Sequence, residues 1–195
     1  MHAKEIAVCS SFTAVSIALS QIRIPTIADL PFFYFWEIPI VIAALLFGFK
    51  VGVLTAALSS IGQALIFPKA LGFLFPIWNF IIMLTSLIGI FLAYSLIKWK
   101  TTKKVQINPS KVNHVIMFTV SALIIRLLVS PFVNYFMYKF MMPIVTGQSF
   151  SDIYIIGLMP VLLAFDTILT CYTIPTSYLI AKVADNNLKI GNQFL

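Results

Sequence analysis

Two side chains of opposite charge, Arg126 and Asp166, sit deep inside long apolar runs. Each lies about thirteen residues from the start of its run. At about 1.5 Å per residue both then come near the middle of a bilayer, within roughly one helical turn of each other in height. A lone charge at that depth costs at least about 2.5–3.5 kcal/mol, so such residues pair or face a wet cavity. Adjacent antiparallel helices would let Arg126 and Asp166 pair. Two roles stay open for them: a buried strut fixing two helices, or recognition of a substrate.

A second set is polar and aromatic: Trp36, Glu37, Gln63, Trp78, Asn79, Asn134, Tyr135 and Tyr138. All fall in the half of the chain's expected topology that faces outward. The interfacial belt of Trp and Tyr explains part of the set. It does not explain the amides, which need partners inside a span, and aromatic walls with a few amides hold small planar ligands. Asn79 follows Pro76 by three residues, which predicts a place in the first turn of its helix. Free backbone N–H groups and the positive end of the helix dipole would be available there.

A third pattern is a stripe of small residues, Ala3, Ala7, Ser11, Ala14 and Ala18, along one helical face. Small residues let backbones approach closely in lipid. The stripe serves either internal packing or association with another protein.

Other chemistries are missing from the sequence. There is no phosphate loop, no zinc-ligand spacing, no Gly-x-Ser-x-Gly elbow and no His-Glu-x-x-His, and His2 and His114 stand apart from any ligand set. No catalytic residue, metal site or cofactor is expected, so the chain does not read as an enzyme. Cys9 and Cys171 lie inside apolar runs and read as small packing residues.

These residues are carried by a chain that is 61% hydrophobic and 10% charged across 195 residues, with a mean hydropathy of +1.01. Soluble domains are about half apolar and about a quarter charged. So apolar a chain needs bilayer around it. The sequence predicts an all-α integral membrane bundle, one domain over 1–195, with six spans at 5–22, 35–48, 51–67, 76–97, 113–141 and 153–182. The second is short for a core about 30 Å thick, so the aromatic segment Pro31–Trp36 is expected to dip into the membrane and cap a cavity. A break is expected at Pro68–Gly72, a kink at Pro131 and the end of the fifth helix at Pro143.

The net charge of +7 comes from 13 Lys and Arg against 6 Asp and Glu. It is spread over loops and does not form a nucleic-acid surface. With the N-terminus in the cytosol, Lys4, Lys50, Lys98, Lys100, Lys103, Lys104, Lys111, Lys182 and Lys189 fall inside, and Arg23, Lys69 and Lys139 fall outside. That asymmetry predicts two cytosolic termini in a prokaryotic plasma membrane.

With those features in view, the chain resembles the substrate-binding S-components of energy-coupling-factor (ECF) vitamin transporters, in size and layout over nearly its whole length. Phe35-Trp-Glu-Ile-Pro-Ile-Val-Ile42 is similar to the riboflavin branch's Phe-x-x-Ile-Pro-x-x-Ile, and Pro76-Ile-Trp-Asn79-Phe80 to its Pro-x-x-Asn-Phe. The lysine-rich loop at 98–104 also falls where that family has one. That branch usually opens its last helix with Pro-Phe-Asn, whereas this chain has Pro160-Val-Leu162, and Arg126 and Asp166 are not features of the branch. The resemblance implies a binding subunit for riboflavin or a related heterocyclic vitamin. Trp36, Glu37, Gln63, Trp78, Asn79, Arg126, Asn134 and Asp166 are its candidate substrate residues. It also implies docking through Ala7, Ser11, Ala14 and Ala18 on a transmembrane coupling subunit driven by two cytosolic ATPase subunits. The alternative is a structural or assembly membrane protein without transport activity.

Overall fold

The computed structural model describes residues 3–24, 33–66, 74–100 and 112–188. The break expected at Pro68–Gly72 lies outside the described residues. So do the start of the aromatic segment 31–36 and most of the loop at 98–104.

The chain is helical, with a single pair of two-residue strands among the described residues. In order the elements are α1 (Ala3–Leu19), β1 (Arg23–Ile24), β2 (Phe33–Tyr34), α2 (Glu37–Phe47), α3 (Phe49–Ile66), α4 (Leu74–Lys100) and α5 (Val112–Phe136). A π turn (Met137–Met141), α6 (Met142–Thr146) and α7 (Asp152–Leu188) follow. The strands pair antiparallel, Arg23 opposite Tyr34 and Ile24 opposite Phe33.

Four stretches are long and apolar enough to cross a membrane: Phe49–Ile66, Pro76–Trp99, Asn113–Thr146 and Asp152–Asn187. Large apolar side chains such as Leu128, Phe132, Ile153 and Leu179 lie on the outside of these helices, a surface suited to acyl chains. The other two expected spans are shorter. The 17 residues of α1 and the 11 of α2 reach about 25 and about 16 Å.

α2 shows why a short helix suffices at the centre. Every residue from Glu37 to Leu46 is buried. A helix apolar on all sides belongs in the interior, and α2 packs against α1, α3 and α7. Its exit is Gly48, whose φ of 95° is disfavoured for any residue with a Cβ, and whose N–H donates to Ala44 O at 3.0 Å. This turns the chain at once into α3.

Two sequence-based boundaries need correction. The fifth apolar run does not end at Pro143. It passes Pro131 and the π turn and stops at Gly147, where φ is 70°. Pro143 falls at the start of α6, directly after the π turn, inside the continuous helical run Asn113–Thr146. Likewise α4 starts at Leu74, so Asn79 lies in its second turn, past the free N–H groups of the helix start.

The contact that sets the site is the approach of α4 to α5. A Cβ on Gly89 would overlap Ala122 Cα, and Ser121 Oγ donates to Gly89 O at 2.8 Å. One turn away from this crossing, in the same direction, lie Ser86 on α4 and Arg126 on α5. Gly89→Val should therefore destabilise the protein by about 1–3 kcal/mol through overpacking. Gly157→Ala, where nothing lies within 4 Å, should cost nothing. Thermal unfolding of the two variants in detergent checks the contrast.

Candidate functional site

Arg126 is 1% exposed, and its guanidinium is shared among three other helices. Nε donates to Asp166 Oδ1 of α7 at 3.0 Å. Nη1 donates to Glu37 Oε2 of α2 at 3.1 Å and to Ser86 Oγ of α4 at 3.2 Å. Nη2 donates to Glu37 Oε1 at 3.2 Å and stands 3.0 Å from Asp166 Oδ1. The expected pairing of Arg126 with Asp166 is present. Glu37 was a candidate for substrate contact and turns out to be the second partner of the arginine.

The network runs on along α5. Ser130 donates to Asp166 Oδ2, Asn134 Nδ2 donates to Ser130 Oγ at 3.0 Å, and Trp78 Nε1 donates to Asn134 Oδ1 at 2.9 Å. Arg126, Ser130 and Asn134 are spaced by four, so one face of α5 carries all three. That stripe is readable in the sequence, and it was the signal that would have found Ser130. A buried polar chain of this kind is stabilising only when each member has its partner, and here each has.

Above the network is a cavity of about 180 Å³, at the end of the bundle where α2 and α4 begin. Tyr34, Trp36, Trp78 and Phe165 supply aromatic walls, with Ile82, Leu162 and Leu169 among the aliphatic ones. Glu37, Asn79, Arg126, Asn134 and Asp166 supply the polar part. The wall on the strand side is held rigidly. Tyr172 OH accepts from the Tyr34 N–H and donates to the Tyr34 carbonyl, each at 2.8 Å, and Ser16 Oγ donates to Trp36 O at 2.7 Å. Tyr34 also packs edge-on to Phe165, with ring centroids 5.9 Å apart.

Of the eight candidate substrate residues, seven meet at this cavity: Trp36, Glu37, Trp78, Asn79, Arg126, Asn134 and Asp166. Gln63 does not. It is buried on α3, which packs on α1, α2 and α4, and its Nε2 has no hydrogen-bond partner among the described residues. Tyr135 and Tyr138 lie outside the cavity as well. Tyr135 OH and Lys139 both donate to Asp152, and Tyr138 stacks edge-on against Trp78 at 5.4 Å. Tyr34, Phe165 and Leu169 were not foreseen. Phe165 and Leu169 enter because α7 lays its 162–169 face along the cavity, and Tyr34 because β2 lies on its rim next to Trp36.

The small stripe is also placed. Ala3, Ala7, Ser11, Ala14 and Ala18 are all exposed, while Cys9 and Ser16 on the other side of α1 are buried. Internal packing is therefore not what the stripe serves.

A polar network buried among membrane-crossing helices, closed under an aromatic cavity, defines a multi-pass membrane protein built to hold a small ligand. The chain belongs to the family of ECF transporter substrate-specific components, whose sequence pattern it matches over residues 4–190. A solved structure of the S component of a bacterial ECF transporter is similar to it, with 21% sequence identity and a TM-score of 0.69. The match covers 95% of this chain and 98% of that one. No curated protein sequence matches the chain. As a member of this family, the protein is a substrate-binding transport subunit and not a catalytic one.

The charge cluster makes an ordered prediction. Arg126→Ala leaves two carboxylates facing each other in low dielectric and should cost about 3–5 kcal/mol. Asp166→Ala leaves the arginine with Glu37 and should cost less. The double variant should recover part of the summed loss. Equilibrium unfolding in detergent reads all three, and strict additivity would show that the two residues are not coupled.

Proposed function

We propose that the protein captures a planar heterocyclic vitamin, with riboflavin the first candidate from the sequence resemblance, in the cavity between α2, α4, α5 and α7. The whole chain acts as one binding domain in the prokaryotic plasma membrane, with both termini cytosolic and the cavity facing outward. The observation that carries the reading is the cavity itself, in which flat aromatic walls meet one uncommitted amide. Asn134 has both ends of its amide bonded within the protein. Asn79 lines the same space with no hydrogen-bond partner among the described residues. An amide in that position is suited to orient a ring edge.

Losing a hydrogen bond between Asn79 and the ligand leaves ligand polar atoms unpaired, at roughly 1–3 kcal/mol, or about five- to a hundredfold in affinity. Asn79→Ala should weaken binding by that much and keep the wild-type unfolding temperature. Calorimetry on the purified protein with riboflavin and other vitamins measures it. Unchanged affinity would move the site away from Asn79, and no binding at all would favour a structural or assembly role.

In the same reading the exposed stripe of α1 docks on a transmembrane coupling subunit that works with two cytosolic ATPase subunits. A close helix contact tolerates small side chains only. Ala14→Trp or Ala18→Trp should abolish co-purification with the coupling subunit and leave ligand affinity as it was. Intact transport in the double variant would remove α1 from the docking surface.

A further inference from the structure

The polar wall of the cavity is one-sided. Among the described residues that line it, Arg126 is one cation and Glu37 and Asp166 are two anions, so the sum of +1 and −2 is −1. The arginine is engaged by the protein on all three of its nitrogens. A guanidinium has about five N–H donors. Here Nε goes to Asp166, the two on Nη1 go to Glu37 and Ser86, and Nη2 donates to Glu37 while standing 3.0 Å from Asp166 Oδ1. The Trp78 N–H and the Asn134 amide are committed to the protein as well.

Besides the Asn79 amide, which can donate or accept, what remains on the wall is acceptor capacity on the two carboxylates. Each carboxylate has about four lone-pair sites. Glu37 accepts two hydrogen bonds from Arg126, both of its oxygens being engaged once. A ligand carboxylate or phosphate entering here would meet excess negative charge in low dielectric, with the guanidinium already held between two carboxylates. A ligand bearing positive charge would offset that excess. The side walls favour the same sign, because Trp36, Trp78, Tyr34 and Phe165 present aromatic rings, and ring faces attract cations.

We propose that the cavity selects a planar heterocycle carrying positive charge and N–H donors, over neutral rings and against anionic ones. This rests on the reading of the cavity as a vitamin site, and within that reading it shifts the choice from a flavin to a cationic ring. Calorimetric competition on the detergent-purified full chain tests it with three probes. Thiamine is a permanent cation with an aminopyrimidine edge, riboflavin is neutral, and folate is an anionic pteridine. Thiamine should bind at least about tenfold tighter than riboflavin, and folate should give no binding heat. In Glu37→Gln, which removes the excess charge, the preference for thiamine over riboflavin should shrink by about tenfold. Riboflavin or folate binding as tightly as thiamine to the wild-type protein overturns the charge inference and leaves the vitamin reading in place. That comparison stands even if Glu37→Gln does not fold. An undiminished preference in a folded Glu37→Gln overturns the assignment of selectivity to this cluster. Absence of binding by all three probes overturns the vitamin reading and this inference together.

Discussion

A guanidinium without water must be neutralised where it stands, and the four helices around Arg126 are arranged to do that. Burial of one ion costs several kcal/mol even after relaxation, and only good geometry with further hydrogen bonds repays it. Arg126 obtains this from Glu37 on α2, Asp166 on α7 and Ser86 on α4. The position of each helix is therefore fixed relative to α5 at one depth. Helix shifts of an ångström would strand a charge, so the cluster specifies register in a bundle where apolar packing against lipid-like surroundings discriminates poorly.

The other constraints serve the same registration. Gly89 against Ala122 brings α4 onto α5 closely enough for Ser86 to reach the arginine. The start of α2 is pinned from two sides, by Ser16 on the Trp36 carbonyl and by Tyr172 on both polar backbone groups of Tyr34. Glu37 then follows directly from a fixed backbone. It also begins α2, where the positive end of the helix dipole favours a carboxylate. The cavity walls are thus held by the protein's own hydrogen bonds, and a ligand need not order them on binding.

The two faces of α1 divide the molecule's tasks. One buries Cys9 and Ser16 against the α2–α3 side, and Ser16 reaches across to support the cavity wall. The opposite side exposes the small-residue stripe, with Ile6 and Val15 beside it, and the hydroxyl of Ser11 is satisfied by the Ala7 carbonyl at 2.9 Å. A stripe of small side chains can lie against lipid or against another helix at little cost. Ligand capture and partner docking, as proposed, would then share one helix without sharing residues.

Membrane class and the all-helical form were legible in the sequence, because long apolar runs have few other stable outcomes. So was the meeting of Arg126 with Asp166, because equal depth on neighbouring antiparallel helices and the cost of a lone buried charge leave little else. The Arg126–Ser130–Asn134 stripe was written in the spacing too. Glu37 as second partner was not, since a carboxylate at a helix start reads equally well as an exposed end residue. Gln63 looked like a site residue by type, but the docking of α3 between α1 and α4 turned it away from the cavity. Pro143 looked like a helix end, yet only the position of the π turn decided that it would open α6. Local sequence determined which segments become helices and which polar groups need partners. Which partner each one found depended on helix rotation and crossing, and those are set by packing between segments far apart in the chain.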